Sequence, residues 1–344
     1  MKAAMWCGVD KIEIVDLPMP TLSEEEALIK VRAAGICATD YHIISGKLTI
    51  GRPPHVQGHE ICGEVAQIKS ARTDIKVGQR CVIATSIGCG HCDACRAGKQ
   101  YICNDSSEIG YYPHQGGYAE YLKVPVSAIV PIPDGVSDEA GAILESSVCP
   151  TESLMNIGVP VSGTVVVFGA GPAGLAFIKL SRIMGAARVI AVVRSEHSEA
   201  RALNFGATDI INTKKVSDPV ALLDEMTGGK RADLVIEATG APSVIESSFN
   251  YVKKGGDVIL YGIPSDSDKI NMPVKKLVVE EISVHGAVGN TKAWEPLVRL
   301  IASGDYAPDK MVTHTFTLDE IDSAFDLYRR HDPSLIKAII KFDK

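Results

Sequence analysis

The chain has 344 residues, 46% of them hydrophobic and 22% charged, with 35 basic against 42 acidic side chains and a net charge of −7. That length suggests two domains, and the composition is that of a globular chain with a core of good size. An acidic balance without any basic run argues against nucleic acid or an acidic membrane as partner, and no apolar stretch approaches the roughly 20 residues a membrane helix needs.

The opening Met1-Lys2-Ala3-Ala4-Met5-Trp6 runs straight into strand-like sequence with no signal-peptide apolar region, so the cytoplasm is the expected compartment. Short strand-like runs follow at residues 26–31 and 80–84, separated by Gly/Pro clusters, and Pro131-Ile132-Pro133-Asp134-Gly135 reads as a turn or linker. Near residue 153 the pattern changes. Apolar strands at 165–168, 189–193, 234–237 and 258–261 alternate with helical stretches, the rhythm of βαβ units on a parallel sheet. After about residue 290 helices are expected at 294–302 and 318–330, with a closing strand at 337–342. The fold class is therefore α/β. A β-rich domain (1–153 and 290–344) is interrupted by a doubly wound, dinucleotide-binding Rossmann domain (154–289).

Four of the nine cysteines crowd into Cys89-x-x-Cys92-x-x-Cys95-x7-Cys103. A closed structural zinc site wants four soft tetrahedral ligands, and close Cys-x-x-Cys spacing lets one loop wrap the ion. Gly88, Gly90 and Gly98 relax the backbone there, and His91 reads as a solvated loop residue. An iron–sulfur cluster is the chemical competitor. Two upstream segments, Gly35-Ile36-Cys37-Ala38-Thr39-Asp40-Tyr41-His42 and Gly58-His59-Glu60, place polar groups in apolar surroundings. Catalytic zinc takes three protein ligands and leaves a position for water or substrate. Cys37 and His59 fit two of them, and Glu60 or the later Glu145 supplies the third.

The run Val165-Val166-Val167-Phe168-Gly169-Ala170-Gly171-Pro172-Ala173-Gly174 is GxGxxG between a strand and the helical stretch 175–184. Its glycines allow a tight turn and close approach of a pyrophosphate to the helix N-terminus, and Pro172 suits the first turn. An acid is expected about 20 residues on to bind the adenosine ribose. Val193 stands there instead, followed by Arg194 and Ser195, a cation and a hydroxyl suited to a 2′-phosphate. NADP is thus expected over NAD, with Glu196 as the ribose ligand in the competing reading.

Together these motifs, in this order and across essentially the whole chain, resemble the zinc-containing medium-chain dehydrogenase/reductase superfamily. The resemblance implies a GroES-like catalytic domain and two zinc ions per chain, and it implies that Cys37, His59 and one of Glu60 and Glu145 hold the catalytic one. It also implies a proton relay through Thr39 and His42, passing by way of the nicotinamide ribose, with Asp40 orienting the imidazole of His59. By the same resemblance Lys337 touches the pyrophosphate, Cys149 packs on the nicotinamide, and Thr239-Gly240 and Tyr261-Gly262-Ile263 line the coenzyme. The implied reaction is hydride transfer between NAD(P) and a small secondary alcohol or polyol, with the ketone as the oxidised partner. A threonine-3-dehydrogenase-like oxidation of an amino alcohol and a catalytically silent zinc- and nucleotide-binding relative are the alternatives. Gly286-Ala287-Val288-Gly289-Asn290 lacks the arginine–tyrosine pair of sorbitol-dehydrogenase-like members, and Glu145-Ser146-Ser147 lacks their Glu-Pro-Leu. Tyr41, His114 and Trp294 are candidates for the pocket wall. A homodimer or homotetramer is expected, a strand near 282–286 extending a sheet across the dimer.

Overall fold

A computed structural model describes residues 1–342 and divides the chain into two units, Cys149–Val288 and the remainder on either side of it. The first division falls at Val148/Cys149, inside the helix Glu145–Ile157 and five residues before the position expected from sequence. No helix among the described residues is long and apolar enough to cross a membrane.

The unit formed by the two chain ends is built on a seven-stranded sheet. Its central strand, Glu26–Ile36, is flanked by Glu60–Lys69 and by Lys337–Lys341, so the last strand of the chain lies beside one of the first. Residues 27–34 of the central strand are mostly buried, and the core they join includes Ile29, Val31, Ile61, Tyr118, Phe325 and Ile340. The strand runs five residues beyond its expected end at 31. Ala33, Ala34 and Gly35 carry weak strand preference, but pairing on both sides holds them extended. Register sets Gly35 opposite Glu60, and a Cβ at Gly35 would run into the Glu60 carboxylate. This sheet end carries Cys37 just past one strand, Glu60 at the head of its neighbour and Lys337 at the head of the third.

The unit Cys149–Val288 holds six parallel strands. Across the sheet they run Asp209–Asn212, Arg188–Val193, Thr164–Phe168, Ala232–Glu237, Val252–Leu260 and Ser283–Gly286. Numbered within the unit this is 3-2-1-4-5-6, the doubly wound order, with its reversal beside Thr164–Phe168. Val165, Val166 and Val167 are fully buried, as a strand covered on both faces must be. The helix after the glycine-rich turn is Pro172–Ile183, three residues earlier than expected, because Pro172 takes the first helical position.

Candidate active site

Asp40 organises the first site. It is fully buried in the helix Ala38–Ile44, and its Oδ2 accepts the Cys37 backbone N–H at 3.0 Å and the Tyr118 hydroxyl at 2.8 Å. Its Oδ1 lies 3.2 Å from His59 Nδ1. Burial pushes the Asp40 carboxyl up, but His59 and these donors outweigh it and hold the group below its ordinary range. The same pairing carries His59 well above the usual histidine value despite its burial. Held through Nδ1, the imidazole is left with Nε2 as the free ligand atom, and Nε2 lies 3.8 Å from Glu145 Oε2.

Ligand atoms of Cys37, His59 and Glu60 all lie within 4.8 Å of one another. Glu60 is fully buried; its Oε1 takes the Lys337 ammonium, while Oε2 has no hydrogen-bond partner. An orphaned buried carboxylate oxygen beside a thiol and an oriented imidazole is what a cation would satisfy. Burial pushes Glu145 up to about 7, so this second carboxylate also gains from a nearby cation. One sulfur, one imidazole nitrogen and a choice of carboxylates suit zinc in an open site.

The remaining predicted residues of this unit fall as follows. Thr39 sits beside the cysteine, its Oγ1 3.5 Å from Cys37 Sγ. His42 is half-buried in the last turn of the same short helix. Partial burial, then the charges of Lys47 and His331, hold it below the ordinary histidine value. Lys337 stands at the head of the last strand. Its Nζ is buried, pairs with Glu60 and lies 3.5 Å from the Ile36 carbonyl. Tyr41, His114 and Trp294 all have structural contacts. Tyr41 packs against Tyr328, His114 Nε2 bonds Ser107 Oγ at 3.0 Å, and Trp294 donates to the Asn290 carbonyl at 2.7 Å. Sequence reasoning missed Tyr111 and Tyr118. Tyr111 places its hydroxyl 3.0 Å from His59 Nδ1, but nothing in Gly110-Tyr111-Tyr112-Pro113 announces that reach.

The four sulfurs of Cys89, Cys92, Cys95 and Cys103 also lie within 4.8 Å of one another, with Cys89 and Cys95 3.9 Å apart. A tetrahedral ion with bonds of about 2.3 Å sets its sulfurs roughly 3.8 Å apart. A cluster of several irons would spread them wider, so the spacing fits one ion. Backbone N–H groups of His91 and Cys92 pull the Cys89 thiol down to about 6, the thiolate character a metal needs. Burial and the neighbouring thiols push Cys95 up to about 12. Four such groups cannot all ionise without a cation. A Cβ at Gly88 would come within 2.5 Å of Cys95 Sγ, so the loop closes only over glycine. His91 is exposed and turns Nδ1 to the Cys89 carbonyl at 2.9 Å, as a loop residue.

In the other unit Gly169 has φ +98°, and Gly171 caps the helix with open space where its Cβ would stand. A Cβ at Gly174 would strike the Gly169 carbonyl, so helix and turn approach as closely as a phosphate cradle demands. Ala173 follows Pro172 in the first turn of that helix. Val193 ends its strand buried, and Arg194 and Ser195 are exposed beyond it. Ser195 caps the next helix by accepting the Ser198 N–H at 3.2 Å. Glu196 pairs with Lys215 at 3.1 Å on the exposed surface. Thr239-Gly240 and Gly262-Ile263 pack back to back, with no room for a Cβ at either Gly240 or Gly262.

Comparison with known proteins agrees with this geometry. Residues 23–134 match the alcohol dehydrogenase GroES-like domain, and residues 172–303 match the zinc-binding dehydrogenase family. An L-threonine 3-dehydrogenase of Bacillus licheniformis is 34% identical, covering 91% of this chain and 91% of its own. A sorbitol dehydrogenase of Bacillus subtilis is 27% identical, covering 99% and 97%. A zinc-binding dehydrogenase of Sinorhizobium meliloti 1021, solved bound to NADP, superposes with a TM-score of 0.90 at 28% identity over 99% of both chains. The chain therefore belongs to the zinc-containing medium-chain dehydrogenase/reductase superfamily, and is a zinc- and nicotinamide-dependent dehydrogenase of alcohols or polyols.

Proposed function

We propose that the enzyme interconverts a small secondary alcohol and its ketone, with NADP preferred to NAD and two zinc ions per chain. The observation that carries the reading is the convergence of Cys37, His59 and Glu60 ligand atoms within 4.8 Å, with Glu145 at the free nitrogen of His59. Bound there, zinc acts as a Lewis acid that makes an alcohol easier to deprotonate and a carbonyl easier to reduce. Cys37 and His59 are the constant ligands, and Glu60 and Glu145 compete for the third position. Cys89, Cys92, Cys95 and Cys103 hold the second ion, which is structural.

The chain's own residues supply positioning and proton movement. Asp40 fixes His59 and the Cys37 backbone together, so two ligands keep one geometry through turnover. The Thr39 hydroxyl, beside Cys37 Sγ, takes the proton of the alcohol as it releases its own toward His42, which, partly open to solvent, passes a proton out. Gly169, Gly171, Pro172, Ala173 and Gly174 receive the pyrophosphate, with Thr239, Gly262 and Ile263 flanking the nicotinamide half. Arg194 and Ser195 face the ribose 2′-phosphate. L-threonine and sorbitol, for which the relatives are named, both carry secondary hydroxyls, which favours such a substrate here.

We place the enzyme in the cytoplasm, where thiolates stay reduced, as a homodimer or homotetramer. Ser283–Gly286 is the edge strand of its sheet, and nearby Val274, Val278 and Val279 are 60%, 71% and 71% exposed, which suits burial against a second copy. The deciding experiment joins metal analysis to turnover followed at 340 nm on a panel of secondary alcohols, polyols, amino alcohols and their ketones. About two zinc ions per chain with NADP-dependent turnover supports the reading. Metal in the four-cysteine site alone, without turnover, would sink it in favour of a silent binding protein.

A further inference from the structure

Glu237 is the last residue of the strand Ala232–Glu237 and is fully buried. Among the described residues no Lys, Arg or His forms an ion pair with it, which is unusual for a carboxylate so enclosed. Its partners are all donors from the turn that follows. Oε1 accepts the Thr239 backbone N–H at 2.8 Å and the Thr239 hydroxyl, and Oε2 accepts the Gly240 N–H at 3.1 Å. Its own carbonyl accepts Tyr261 N–H at 2.9 Å and Gly262 N–H at 3.0 Å from the neighbouring turn. One residue thus ties together the turns after two adjacent strands.

The link extends to a third turn. A Cβ on Gly169 would lie 3.0 Å from Thr239 Cγ2, so the threonine that Glu237 fixes rests on the first glycine of the pyrophosphate turn. The following Ala238 N–H bonds the Phe168 carbonyl at 3.1 Å, joining the same two loops through backbone. All three turns lie at the carboxyl ends of parallel strands, where a doubly wound sheet binds its ligand. A carboxylate suits the position because it is acceptor-only; an amide would turn an NH2 toward one of the donors.

From this arrangement we infer that Glu237 is a positioning residue for the nicotinamide coenzyme: its carboxylate fixes the Thr239–Gly240 turn against Gly169 and Gly262. The inference rests on the assignment of Thr239 and Gly262 to the coenzyme cradle. Without the anchor, Thr239 and Gly240 gain freedom, and coenzyme binding must then order them at its own expense.

The test is titration of the zinc-loaded enzyme with NADPH and NADH, followed by fluorescence, at a temperature where the variants remain folded. Glu237→Gln, close to isosteric, is expected to weaken coenzyme binding about tenfold, the scale of a hydrogen bond to a charged group. The coenzyme KM should rise with it, while zinc content and the KM of the alcohol stay as in the wild type. A purely structural role would lower Tm and leave the coenzyme Kd of the folded variant unchanged. A Kd within twofold of wild type therefore overturns the inference. Should Glu237→Gln not fold, Thr239→Val removes one bond of the set, and a several-fold weaker Kd is expected. An unchanged Kd there overturns the inference equally. The titration uses coenzyme and protein alone, so its result is separate from the alcohol panel that decides the substrate.

Discussion

Lys337 and Glu60 form a buried ion pair that ties the last strand of the chain to the head of the strand Glu60–Lys69. Both side chains are almost fully enclosed, and Gly35 leaves the carboxylate its space. Removing one member of such a pair strands the other charge in a low dielectric. Lys337→Met is expected to cost about 3–5 kcal/mol in urea unfolding, and adding Glu60→Gln should recover part of that loss. Losses that simply add in the double variant would show that the two groups are not coupled.

Thr39 tests the proton path. Its hydroxyl beside Cys37 Sγ is the group assigned to take the alcohol proton. Thr39→Val keeps the shape and removes the proton acceptor, so kcat should fall by roughly 10²- to 10⁴-fold. Zinc content and coenzyme Kd should not change. A variant that keeps more than half the wild-type kcat would exclude the hydroxyl from the reaction.

The pH profile follows from His42. Partial burial, then Lys47 and His331, hold it below the ordinary histidine value, so it stays neutral and able to accept a proton below the usual range. With His42 as the proposed proton exit, its protonation would shut the relay and place the acid limb of kcat/KM at correspondingly low pH. Lys47→Met removes one depressing charge; the His42 pKa then rises and the limb moves to higher pH. An unmoved limb, or one displaced to lower pH, would show that His42 does not set it.

The residues most legible in the sequence were those whose chemistry is local. Cys89, Cys92, Cys95 and Cys103 meet because one short loop carries all four, and Gly169 to Gly174 make their turn from neighbouring residues. The parallel, doubly wound sheet was legible from alternating apolar strands and helices, since parallel strands need such crossovers. Residues 32–36 were not legible as strand. Alanines and a glycine give no local signal, and one of their two pairing partners comes from residues about 300 positions away. Register also sets Lys337 against Glu60, a cross-strand pairing that its position in the sequence did not reveal. Tyr111 acts through a tertiary contact with His59 that no spacing rule encodes.

The four-cysteine lobe is assigned a structural ion, and that assignment separates two effects of metal loss. Cys95→Ser and Cys103→Ser should reduce zinc from about two to about one per chain, because a closed site needs all four ligands. The segment 290–292 leans on this lobe: Asn290 Oδ1 accepts the Ser86 hydroxyl at 2.8 Å, and the Thr291 hydroxyl bonds the Gly98 carbonyl at 2.8 Å. Thermal stability should therefore fall, while turnover at low temperature persists through the second zinc. Loss of both ions together in these variants would mean that the sites are not independent.

Coenzyme choice turns on the residues after the strand Arg188–Val193. A carboxylate at position 193 would bind ribose hydroxyls and repel a 2′-phosphate; Val193 does neither, and Arg194 and Ser195 offer a guanidinium and a hydroxyl. Glu196 forms only an exposed surface pair with Lys215. The wild type should show a higher kcat/KM with NADP than with NAD. Val193→Asp with Arg194→Ile should reverse the order, because it adds the ribose acceptor and removes the phosphate ligand in one step. Each charge-assisted bond exchanged contributes about 1.5–3 kcal/mol, so a swing of at least a hundredfold in the NADP/NAD ratio is expected. A wild type that strongly prefers NAD would remove the basis for the assignment, and Lys215→Ala would then test whether Glu196 is the ribose ligand after all.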